Sequence, residues 1–492
     1  MNLDQLLAGI DYLPVKGKLD VEIHGVYYDS RRVTPGSLFV CITGFKTDGH
    51  LYIKQAINNG AIAILAEREI ATEGDIAYIL VPDTRKALPI VAAHYYGHCS
   101  RFMRVVGITG TNGKTTTAHL IKAILDEAGK KTGIIGTLYA EIGDDRRVLG
   151  HTTPEALEIE DFMNFSYKQQ AEYIIMEVSS HALELSRVDK IYFNTAILTN
   201  LTQDHLDYHG DMDNYRRAKI RLFSMIPKAE GNFCIVNADD ESANYFIKED
   251  GPLYLTYGVK NPADIRAADL EISLEGSRFQ VIYKDQKFLI RTKLIGLFSV
   301  YNALAAIAFA LQEGIDIKTI KAALKKVEGV PGRFEPVSCG QNFTVLVDYA
   351  HTPDGLENIL KTARQIAENR VITVFGCGGD RDRTKRPIMG KIAASYSDFC
   401  IITSDNPRSE EPEAIIREIC SGIESVDNCR YAIIVDRREA IRHAVYLAKE
   451  KDLVIIAGKG HETYQIVKDQ VLEFDDRKIA AEFLKGKVSN AD

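Results

Sequence analysis

One hexapeptide of the chain has the composition of a phosphate-binding loop. The residues Gly110-Thr111-Asn112-Gly113-Lys114-Thr115 follow an apolar, β-branched run at Arg104–Thr109 and precede a stretch of helical spacing at Thr115–Ala128. Glycines let backbone N–H groups approach phosphate oxygens, and a helix N-terminus adds partial positive charge. In such a loop Lys114 reaches the β- and γ-phosphates and the Thr115 hydroxyl binds Mg²⁺. The pattern predicts nucleotide binding, although Ile108 stands where the standard motif has glycine.

Two polar segments after apolar runs could supply metal ligands. Glu177 lies near the end of the run Tyr173–Val178, and His205 lies in the polar stretch that follows Thr195–Leu198. A carboxylate at the C-terminal edge of a parallel strand suits Mg²⁺, which prefers oxygen ligands. Histidine is a less usual magnesium ligand and is often structural, so the spacing leaves the role of His205 open.

A third segment concentrates positive charge. Arg216, Arg217, Lys219 and Arg221 place four cations within six residues of a helical stretch. One interpretation is a solvated basic face. The other is that the neighbouring cations lower the pKa of Lys219 and leave a reactive neutral amine. The sequence alone does not choose between them.

The elements that would position these residues alternate between strand and helix. Strand-like runs in the middle of the chain occur at Arg104–Thr109, Gly133–Thr137, Tyr173–Val178, Thr195–Leu198 and Phe233–Asn237. Period-two alternation over Leu253–Leu294 predicts a small antiparallel β insert, and a helix is expected at Val300–Leu311. A second series contains Thr344–Asp348, Val371–Phe375, Cys400–Ser404, Tyr431–Val435 and Leu453–Ala457. This alternation predicts α/β domains with mostly parallel sheets.

Length and composition set the remaining expectations. A chain of 492 residues accommodates three domains, which we place at residues 1–101, 102–334 and 335–492. The net charge of −8 disfavours a nucleic-acid partner. No apolar run has the length of a membrane span, no secretory signal opens the chain, and eight scattered cysteines suit reduced thiols. We therefore expect a cytoplasmic protein without nucleic-acid or membrane partners. A monomeric state is a separate expectation that these observations do not address.

The motifs, taken in order, resemble those of the Mur ligases of peptidoglycan synthesis. The resemblance extends over nearly the whole chain. It is carried by Gly110–Thr115, Glu177–His181, Thr199–His205, Asp207–Gly210, Asn302-Ala303, Gly332–Glu335 and Asp348–Pro353. It implies a uridine-nucleotide-binding N-terminal α/β domain, a central P-loop ATPase-like domain with a parallel sheet, and a Rossmann-like C-terminal α/β domain.

The resemblance also implies the reaction and its cofactors. ATP and Mg²⁺ would convert a carboxylate to an acyl phosphate, which the amine of an amino acid then attacks. Lys114, Lys219, His205 and Glu177 match catalytic positions. Of these, Lys219 matches a carbamylated lysine, and Glu177 and His205, with Thr115, match magnesium ligands. The positions that match ATP contacts are Gly110, Thr111, Asn112, Gly113, Lys114, Thr115, Thr116, Asn302, Arg333 and Asp348.

The two other substrates are implied in the same way. The positions matching contacts to UDP-N-acetylmuramoyl-L-alanyl-D-glutamate are Ser30, Thr152, Thr153, Ser179 and Arg187. Leu185 departs from the pattern, because some relatives have a polar contact there.

Asp405-Asn406-Pro407-Arg408 resembles the motif of the members that add meso-diaminopimelate, and Arg381, Gly458 and Glu462 complete that site by resemblance. Diaminopimelate carries a second carboxylate that lysine lacks, and the planar fork of Arg408 suits it. The alternative for Arg408 is a surface salt bridge in a turn.

Three other functions use similar motifs. A folylpolyglutamate synthase also forms an acyl phosphate, but Ser30 and the Asp405–Arg408 motif argue against it. A nucleotide-gated binding protein would hydrolyse ATP without an amino acid. A small-molecule kinase would release a stable phosphorylated product and would have no use for an amino-acid pocket.

Overall fold

The computed structural model describes residues 1–44, 47–72, 74–427 and 429–489. Three large β-sheets and one two-stranded ribbon organise these residues. Each large sheet falls within one of the ranges 1–101, 102–334 and 335–492, in agreement with the expected α/β architecture. No helix in these ranges is both long enough and apolar enough to cross a membrane.

The first sheet has five strands in the order β1-β5-β4-β3-β2, parallel except for the β1–β5 pair. Its strands are β1 Leu13–Lys16, β2 Gly25–Tyr27, β3 Ser37–Val40, β4 Ala61–Ala66 and β5 Ala77–Leu80. The accompanying helices are α1 Leu3–Leu6, α2 Ile53–Asn58 and α3 Thr84–Tyr96. Asp83 caps α3 by accepting the Arg85 and Lys86 N–H groups.

The second sheet carries the phosphate-binding loop. Its strands are β6 Arg104–Thr109, β7 Thr132–Ile135, β8 Ala140–Ile142, β9 Asp145–Arg147, β10 Tyr173–Glu177, β11 Thr195–Leu198, β12 Phe233–Asn237, β13 Leu253–Gly258, β14 Ile265–Ser273, β15 Gly276–Tyr283 and β16 Gln286–Thr292. Its helices are α4 Lys114–Glu127, α5 Ala156–Lys168, α6 Ser180–Glu184, α7 Leu206–His209, α8 Met212–Ser224, α9 Ala243–Phe246, α10 Leu297–Gln312 and α11 Ile317–Lys326.

Strand order places the chemistry at one edge of this sheet. The order is β16-β15-β14-β13-β12-β11-β6-β10-β7-β8-β9, with β6 parallel to both of its neighbours, β10 and β11. Glu177 is in register with Ile108, and Leu198 with Thr109. The phosphate-binding loop, Glu177 and the segment that leads to His205 therefore leave the sheet at the same edge.

The predicted β insert is partly wrong. β14, β15 and β16 are antiparallel as expected. β13, however, pairs parallel with β12 and β14, so the segment extends the central sheet and does not form a separate unit. Period-two alternation reports only that one face is buried and carries no information on strand direction.

The third sheet supports the C-terminal part of the site. Its strands, in the order β17-β18-β22-β19-β20-β21, are β17 Glu335–Pro336, β18 Thr344–Asp348, β19 Val371–Phe375, β20 Phe399–Ile402, β21 Tyr431–Ile433 and β22 Leu453–Ala457. The ribbon β23 Tyr464–Val467 and β24 Gln470–Glu473 follows β22. The helices are α12 Pro353–Ile366, α13 Lys385–Tyr396, α14 Pro412–Ile423, α15 Arg437–Leu447 and α16 Asp476–Ser489.

Candidate active site

The phosphate-binding loop joins β6 to α4 as predicted. Gly110 and Gly113 have φ angles of 147° and 87°. A Cβ atom on Gly110 would lie 1.9 Å from Thr199 Oγ1, so this position requires glycine. Lys114 Nζ donates to the carbonyl oxygens of Gly110 and Thr111 at 2.8 and 2.9 Å. Desolvation lowers the Lys114 pKa, and the carboxylate of Glu177 opposes that shift.

Glu177 is fully buried beside this loop. Its carboxylate accepts hydrogen bonds from Thr115 Oγ1 at 2.8 Å, Thr137 N at 2.8 Å and Thr137 Oγ1 at 3.0 Å. A Cβ atom on Gly136 would lie 2.2 Å from Glu177 Oε1, so this glycine leaves room for the carboxylate. No Lys, Arg or His of the described ranges lies within ion-pair distance of Glu177.

The side chains of Thr115 and Glu177 have the chemistry of magnesium ligands. Thr115 and Glu177 offer a hydroxyl and an unpaired buried carboxylate, both oxygen donors of the kind Mg²⁺ prefers. The described residues contain no group of three or more His, Cys, Asp or Glu side chains arranged for a metal. The chain alone therefore offers a partial ligand set, as is usual where substrate phosphates supply the remaining oxygens.

His205 is held by a different carboxylate. Its Nε2 lies 3.3 Å from Asp204 Oδ2, and its ring meets that of His181 edge-on at 4.7 Å. Burial lowers the His205 pKa to about 3, although the Asp204 charge opposes the shift. A neutral imidazole is the form that binds metals, so the electrostatics permit the predicted role without assigning it.

Lys219 lies on the buried face of α8 and is 1% exposed. Its Nζ donates to Gly110 O at 2.9 Å, which places the amine against the phosphate-binding loop. Burial lowers its pKa well below the usual range, and the Lys114 charge lowers it further. The predicted cause is therefore wrong: the arginines of α8 do not produce the shift. Arg216 pairs with Asp213 and Arg221 with Asp189 on the outer side of the helix.

A cavity of 280 Å³ opens beside the phosphate-binding loop. Among its lining residues are Asn112, Gly113, Thr116, Asn302, Arg333 and Asp348, all predicted to contact ATP. The same wall contains Asp239, whose carboxylate accepts Tyr301 OH at 2.7 Å. Six of the ten residues predicted to contact ATP therefore line this cavity, whereas Gly110, Thr111, Lys114 and Thr115 are not among its lining residues.

Arg333 and the start of α12 contact the phosphate-binding loop beside this cavity. Arg333 Nη2 donates to Thr115 Oγ1 at 3.0 Å, and its guanidinium lies over the Tyr349 ring at 4.6 Å. Asn112 Nδ2 donates to Asp354 Oδ2 at 2.9 Å. Burial raises the Asp348 pKa to about 6, an effect that the Arg333 charge opposes.

Four of the five predicted muramoyl contacts lie near Glu177. Thr152 Oγ1 is 3.0 Å from Thr137 Oγ1, and Thr153 Oγ1 donates to the Glu177 carbonyl at 2.8 Å. Ser179 N donates to Thr153 Oγ1 at 3.0 Å, and Arg187 Nη1 donates to Thr153 O at 2.9 Å.

Ser30 is held apart from this group in the first sheet's domain. Its hydroxyl donates to Gln55 Oε1 at 2.8 Å, and no contact joins it to the other four. Leu185 ends α6 as its C-cap, and a leucine side chain offers no polar contact there.

The Asp405–Arg408 turn follows β20 as expected and lies against β23. Arg408 has a φ of 51°, and its Nη1 donates to Gly379 O at 2.7 Å. Burial lowers the Arg408 pKa, and the nearby charge of Arg381 adds to this effect. No carboxylate of the described ranges lies within 4.0 Å of the Arg408 guanidinium, so the alternative of a surface salt bridge is wrong.

The other predicted residues of this pocket converge on the same turn. Asn406 Nδ2 donates to Glu462 Oε2 at 2.9 Å. Gly458 has a φ of 116°, and a Cβ atom there would lie 2.5 Å from Asp405 Oδ2. The turn thus brings the Arg408 guanidinium, which has no carboxylate partner among the described residues, near the carboxylates of Asp405 and Glu462, a set that suits a ligand bearing both carboxylate and ammonium groups.

Several residues of the site were not predicted. Asn200 Oδ1 accepts the Asn112 N–H at 2.9 Å, and Thr137 holds Glu177. Asn200 follows β11, which neighbours the strand of the phosphate-binding loop, and Thr137 ends the predicted run of β7, which lies one strand further away beside β10. Their position at the sheet edge was an available signal. Asp354 and Tyr301 carry no such signal, because their contacts depend on how distant segments pack.

Three family models match the chain. The Mur ligase middle domain matches residues 108–310, the Mur ligase glutamate ligase domain matches residues 332–460, and the Mur ligase family catalytic domain matches residues 22–96. The chain belongs to the Mur ligase family. Mur ligases are ATP-dependent, ADP-forming amide ligases, and the three matches follow the order of the three sheets.

The chain is similar to Mur ligases over its full length. A UDP-N-acetylmuramoyl-L-alanyl-D-glutamate–2,6-diaminopimelate ligase of Syntrophomonas wolfei is 62% identical over 488 residues, which cover 99% of this chain and 100% of that protein. An enzyme of the same name from Clostridioides difficile is 46% identical, with coverage of 98% and 99%.

This Mur ligase is also similar to solved structures over most of its length. A structure titled UDP-N-acetylmuramoyl-L-alanyl-D-glutamate–2,6-diaminopimelate ligase aligns with a TM-score of 0.68 at 33% identity and covers 99% of both chains. A folylpolyglutamate synthase from Mycobacterium tuberculosis aligns with a TM-score of 0.63 at 17% identity, covering 76% of this chain and 92% of its own. That second likeness concerns the fold alone.

Proposed function

We propose that this Mur ligase uses ATP to join meso-diaminopimelate to UDP-N-acetylmuramoyl-L-alanyl-D-glutamate through an amide bond. The observation that carries the proposal is Arg408. Its guanidinium is partly buried at a strand end, beside Asn406 and Glu462, and has no carboxylate partner among the described residues. An incoming amino acid with a second carboxylate supplies that partner. Relatives 46 to 62% identical bear the name of this activity.

The first step joins the terminal carboxylate of the dipeptide to phosphate. A carboxylate oxygen attacks the γ-phosphorus of ATP, the bond to the β,γ-bridging oxygen breaks, and ADP leaves. Two anions must meet for this attack, so cations must neutralise their repulsion. Lys114 in the phosphate-binding loop and Arg333, bonded to Thr115, are the cations placed to do so.

Thr115 and Glu177 would hold magnesium, and His205 is a further candidate ligand. When bound, the ion supplies charge neutralisation for the triphosphate and the transferring phosphoryl group. Glu177 is fixed for this role by three hydrogen bonds from Thr115 and Thr137.

Lys219 is the proposed site of carbamylation. A neutral amine attacks CO₂ at carbon and loses a proton, which leaves a carbamate anion. The lowered pKa of the buried Lys219 amine favours the neutral form. Carbamylation would convert the neutral Lys219 amine to an anion, which attracts the Lys114 charge.

The second step forms the amide. The amine of the incoming amino acid attacks the acyl carbon and loses a proton, and the tetrahedral intermediate expels phosphate. The Asp405–Arg408 turn, Arg381, Gly458 and Glu462 would hold the amino acid. Thr152, Thr153, Ser179 and Arg187 would hold the muramoyl dipeptide, with Ser30 at its uridine end.

Phosphate release is the assay that tests this function. We expect release only when ATP, the muramoyl dipeptide and an amino acid are all present, with diaminopimelate preferred to lysine by about a hundredfold or more in kcat/KM. Release without an amino acid would favour the nucleotide-gated binding protein, and a stable phosphorylated product would favour the kinase. Activity with a folyl acceptor in place of the muramoyl dipeptide would favour the folylpolyglutamate synthase. Location in the cytoplasm and a monomeric state stay predictions.

A further inference from the structure

The amino-acid pocket contains a buried lysine that no motif singled out. Lys459 is 0% exposed. Its Nζ lies 3.0 Å from Glu462 Oε2 and 3.1 Å from Asn406 Oδ1. A buried ammonium group destabilises a fold unless it is paired and hydrogen-bonded, and these two contacts meet that requirement.

The same contacts fix the orientation of the Asn406 amide. Asn406 Oδ1 accepts from Lys459 Nζ and from Ile466 N, the latter at 2.9 Å. The amide nitrogen must then face the other way, and Nδ2 donates to Glu462 Oε2 at 2.9 Å. Reversing the amide would set donor against donor at Lys459 and Ile466, and acceptor against acceptor at Glu462.

This network leaves one oxygen of Glu462 for a ligand. Oε2 receives both Lys459 Nζ and Asn406 Nδ2. Oε1 accepts no hydrogen bond from the residues that the structure describes. An ammonium group of the incoming amino acid is the chemical match for such an oxygen.

We propose that Lys459 is a positioning residue that keeps Glu462 ionised and holds Asn406 in its orientation, so that Glu462 Oε1 binds an ammonium group of the incoming amino acid. The inference rests on the proposed function in one respect, which is that an amino acid is a substrate of the enzyme. It does not depend on which amino acid is used.

The charges around Glu462 make its ionisation depend on Lys459. The titratable groups that interact with Glu462 are Lys459, Asp405, Tyr349, Tyr464, Arg408 and Arg437. Burial and the Asp405 charge raise the Glu462 pKa, whereas Lys459 lowers it. Without the Lys459 charge, Glu462 holds a proton to higher pH and loses its attraction for an ammonium group.

A set of variants tests this inference through the KM for the amino acid. Lys459→Met removes the charge at similar volume, Lys459→Arg keeps it, and Lys459→Met/Glu462→Gln removes both charges. Lys478→Met is the matched control, because it breaks an exposed ion pair with Glu473 on the same domain. Phosphate release is measured from pH 6.5 to 9 as the diaminopimelate concentration is varied, with ATP and the muramoyl dipeptide saturating.

We expect Lys459→Met to raise the KM for diaminopimelate about tenfold or more at pH 7, with ATP and dipeptide KM values within about twofold of wild type. The increase should diminish as the pH rises, because Glu462 then ionises. Lys459→Arg should restore part of the affinity, and the double variant should show no such pH dependence. Equal increases in all three KM values, or a pH-independent increase in Lys459→Met, would overturn the proposal.

Thermal unfolding separates failure of this inference from failure of the proposed function. If wild type prefers another amino acid, the same series is run with that substrate. If no amino acid supports phosphate release, the melting temperature still tests whether Lys459 keeps Glu462 ionised. The melting temperature should fall more steeply with rising pH in Lys459→Met than in wild type. Loss of the Lys459 charge raises the Glu462 pKa of the folded protein further, so the unfolded chain releases the Glu462 proton at a lower pH than the folded protein does. The double variant should lose that slope, and an unchanged slope in Lys459→Met would overturn the proposal.

Discussion

Arg333 Nη2 donates a hydrogen bond of 3.0 Å to Thr115 Oγ1, across 218 residues of chain. Thr115 in turn donates to Glu177 Oε2 at 2.8 Å. A residue that leads into the third sheet therefore touches the hydroxyl at the start of α4, and that hydroxyl touches the buried carboxylate. The segment that leads into the third sheet is therefore connected through Thr115 to the buried carboxylate beside the phosphate-binding loop.

Replacing Arg333 should lower kcat/KM for ATP. Arg333→Ala removes both the Thr115 contact and the stacking on Tyr349, so we expect a 10- to 100-fold loss in kcat/KM for ATP, about the worth of a charged hydrogen bond. Arg333→Lys should recover little, because an ammonium group cannot reproduce the planar stack. Steady-state kinetics with Arg438→Ala as a surface control checks this, and an unchanged kcat/KM for ATP in Arg333→Ala would contradict it.

Lys219→Ala should lower kcat about a hundredfold or more, and added bicarbonate should not restore it. The substitution removes the amine that bonds to Gly110 O and that carbamylation requires. With ¹³C-labelled bicarbonate, wild type should show a carbamate carbonyl resonance that is missing from Lys219→Ala. Wild-type activity in the variant would remove Lys219 from the mechanism.

Replacing Arg408 should weaken binding of the amino acid and leave binding of ATP unchanged. Because this residue has a φ of 51°, we choose Arg408→Asn beside Arg408→Ala, since asparagine tolerates the left-handed region. Both should raise the KM for diaminopimelate about 10- to 100-fold and leave the KM for ATP unchanged. Titration of each substrate against phosphate release measures the split. Equal loss for both substrates would indicate misfolding and not recognition.

Glu160 on α5 should make stability depend on pH. Its carboxyl oxygens have no hydrogen-bond partner among the described residues, and burial raises its pKa to about 8 from the ordinary 4.5. The unfolded chain loses this proton first, so stability should fall as pH rises from about 4.5 towards 8. Glu160→Gln should remove that loss and raise the melting temperature by more at pH 8 than at pH 5. Equal melting-temperature changes at both pH values would contradict this.

Local patterns were enough to predict much of the fold. The runs Arg104–Thr109, Thr195–Leu198 and Val371–Phe375 were predicted with their observed bounds. Each is a short run of mostly β-branched and other apolar residues, and fully buried parallel strands have this composition. The helix after the phosphate-binding loop was predicted one residue late at each end, as Thr115–Ala128 for the observed Lys114–Glu127.

Features that depend on tertiary packing were not predictable in this way. Four cations in α8 suggested that helix neighbours shift the Lys219 pKa, but the shift comes from burial and from Lys114. Helical periodicity cannot report which face meets another element. The Lys459 network was missed for the same reason, since its partner Asn406 lies 53 residues away. Resemblance to a family motif identified Asn406, whereas only the fold shows which residues hold its side chain.

The central claim is that the muramoyl dipeptide is activated as a mixed anhydride with phosphate. The most direct measurement places oxygen-18 in the reacting carboxyl of UDP-N-acetylmuramoyl-L-alanyl-D-glutamate and follows the label by mass spectrometry during turnover with ATP and diaminopimelate. Attack by that carboxylate on the γ-phosphorus predicts one labelled oxygen in each phosphate released. Phosphate that carries no label, formed together with the amide product, would contradict the account.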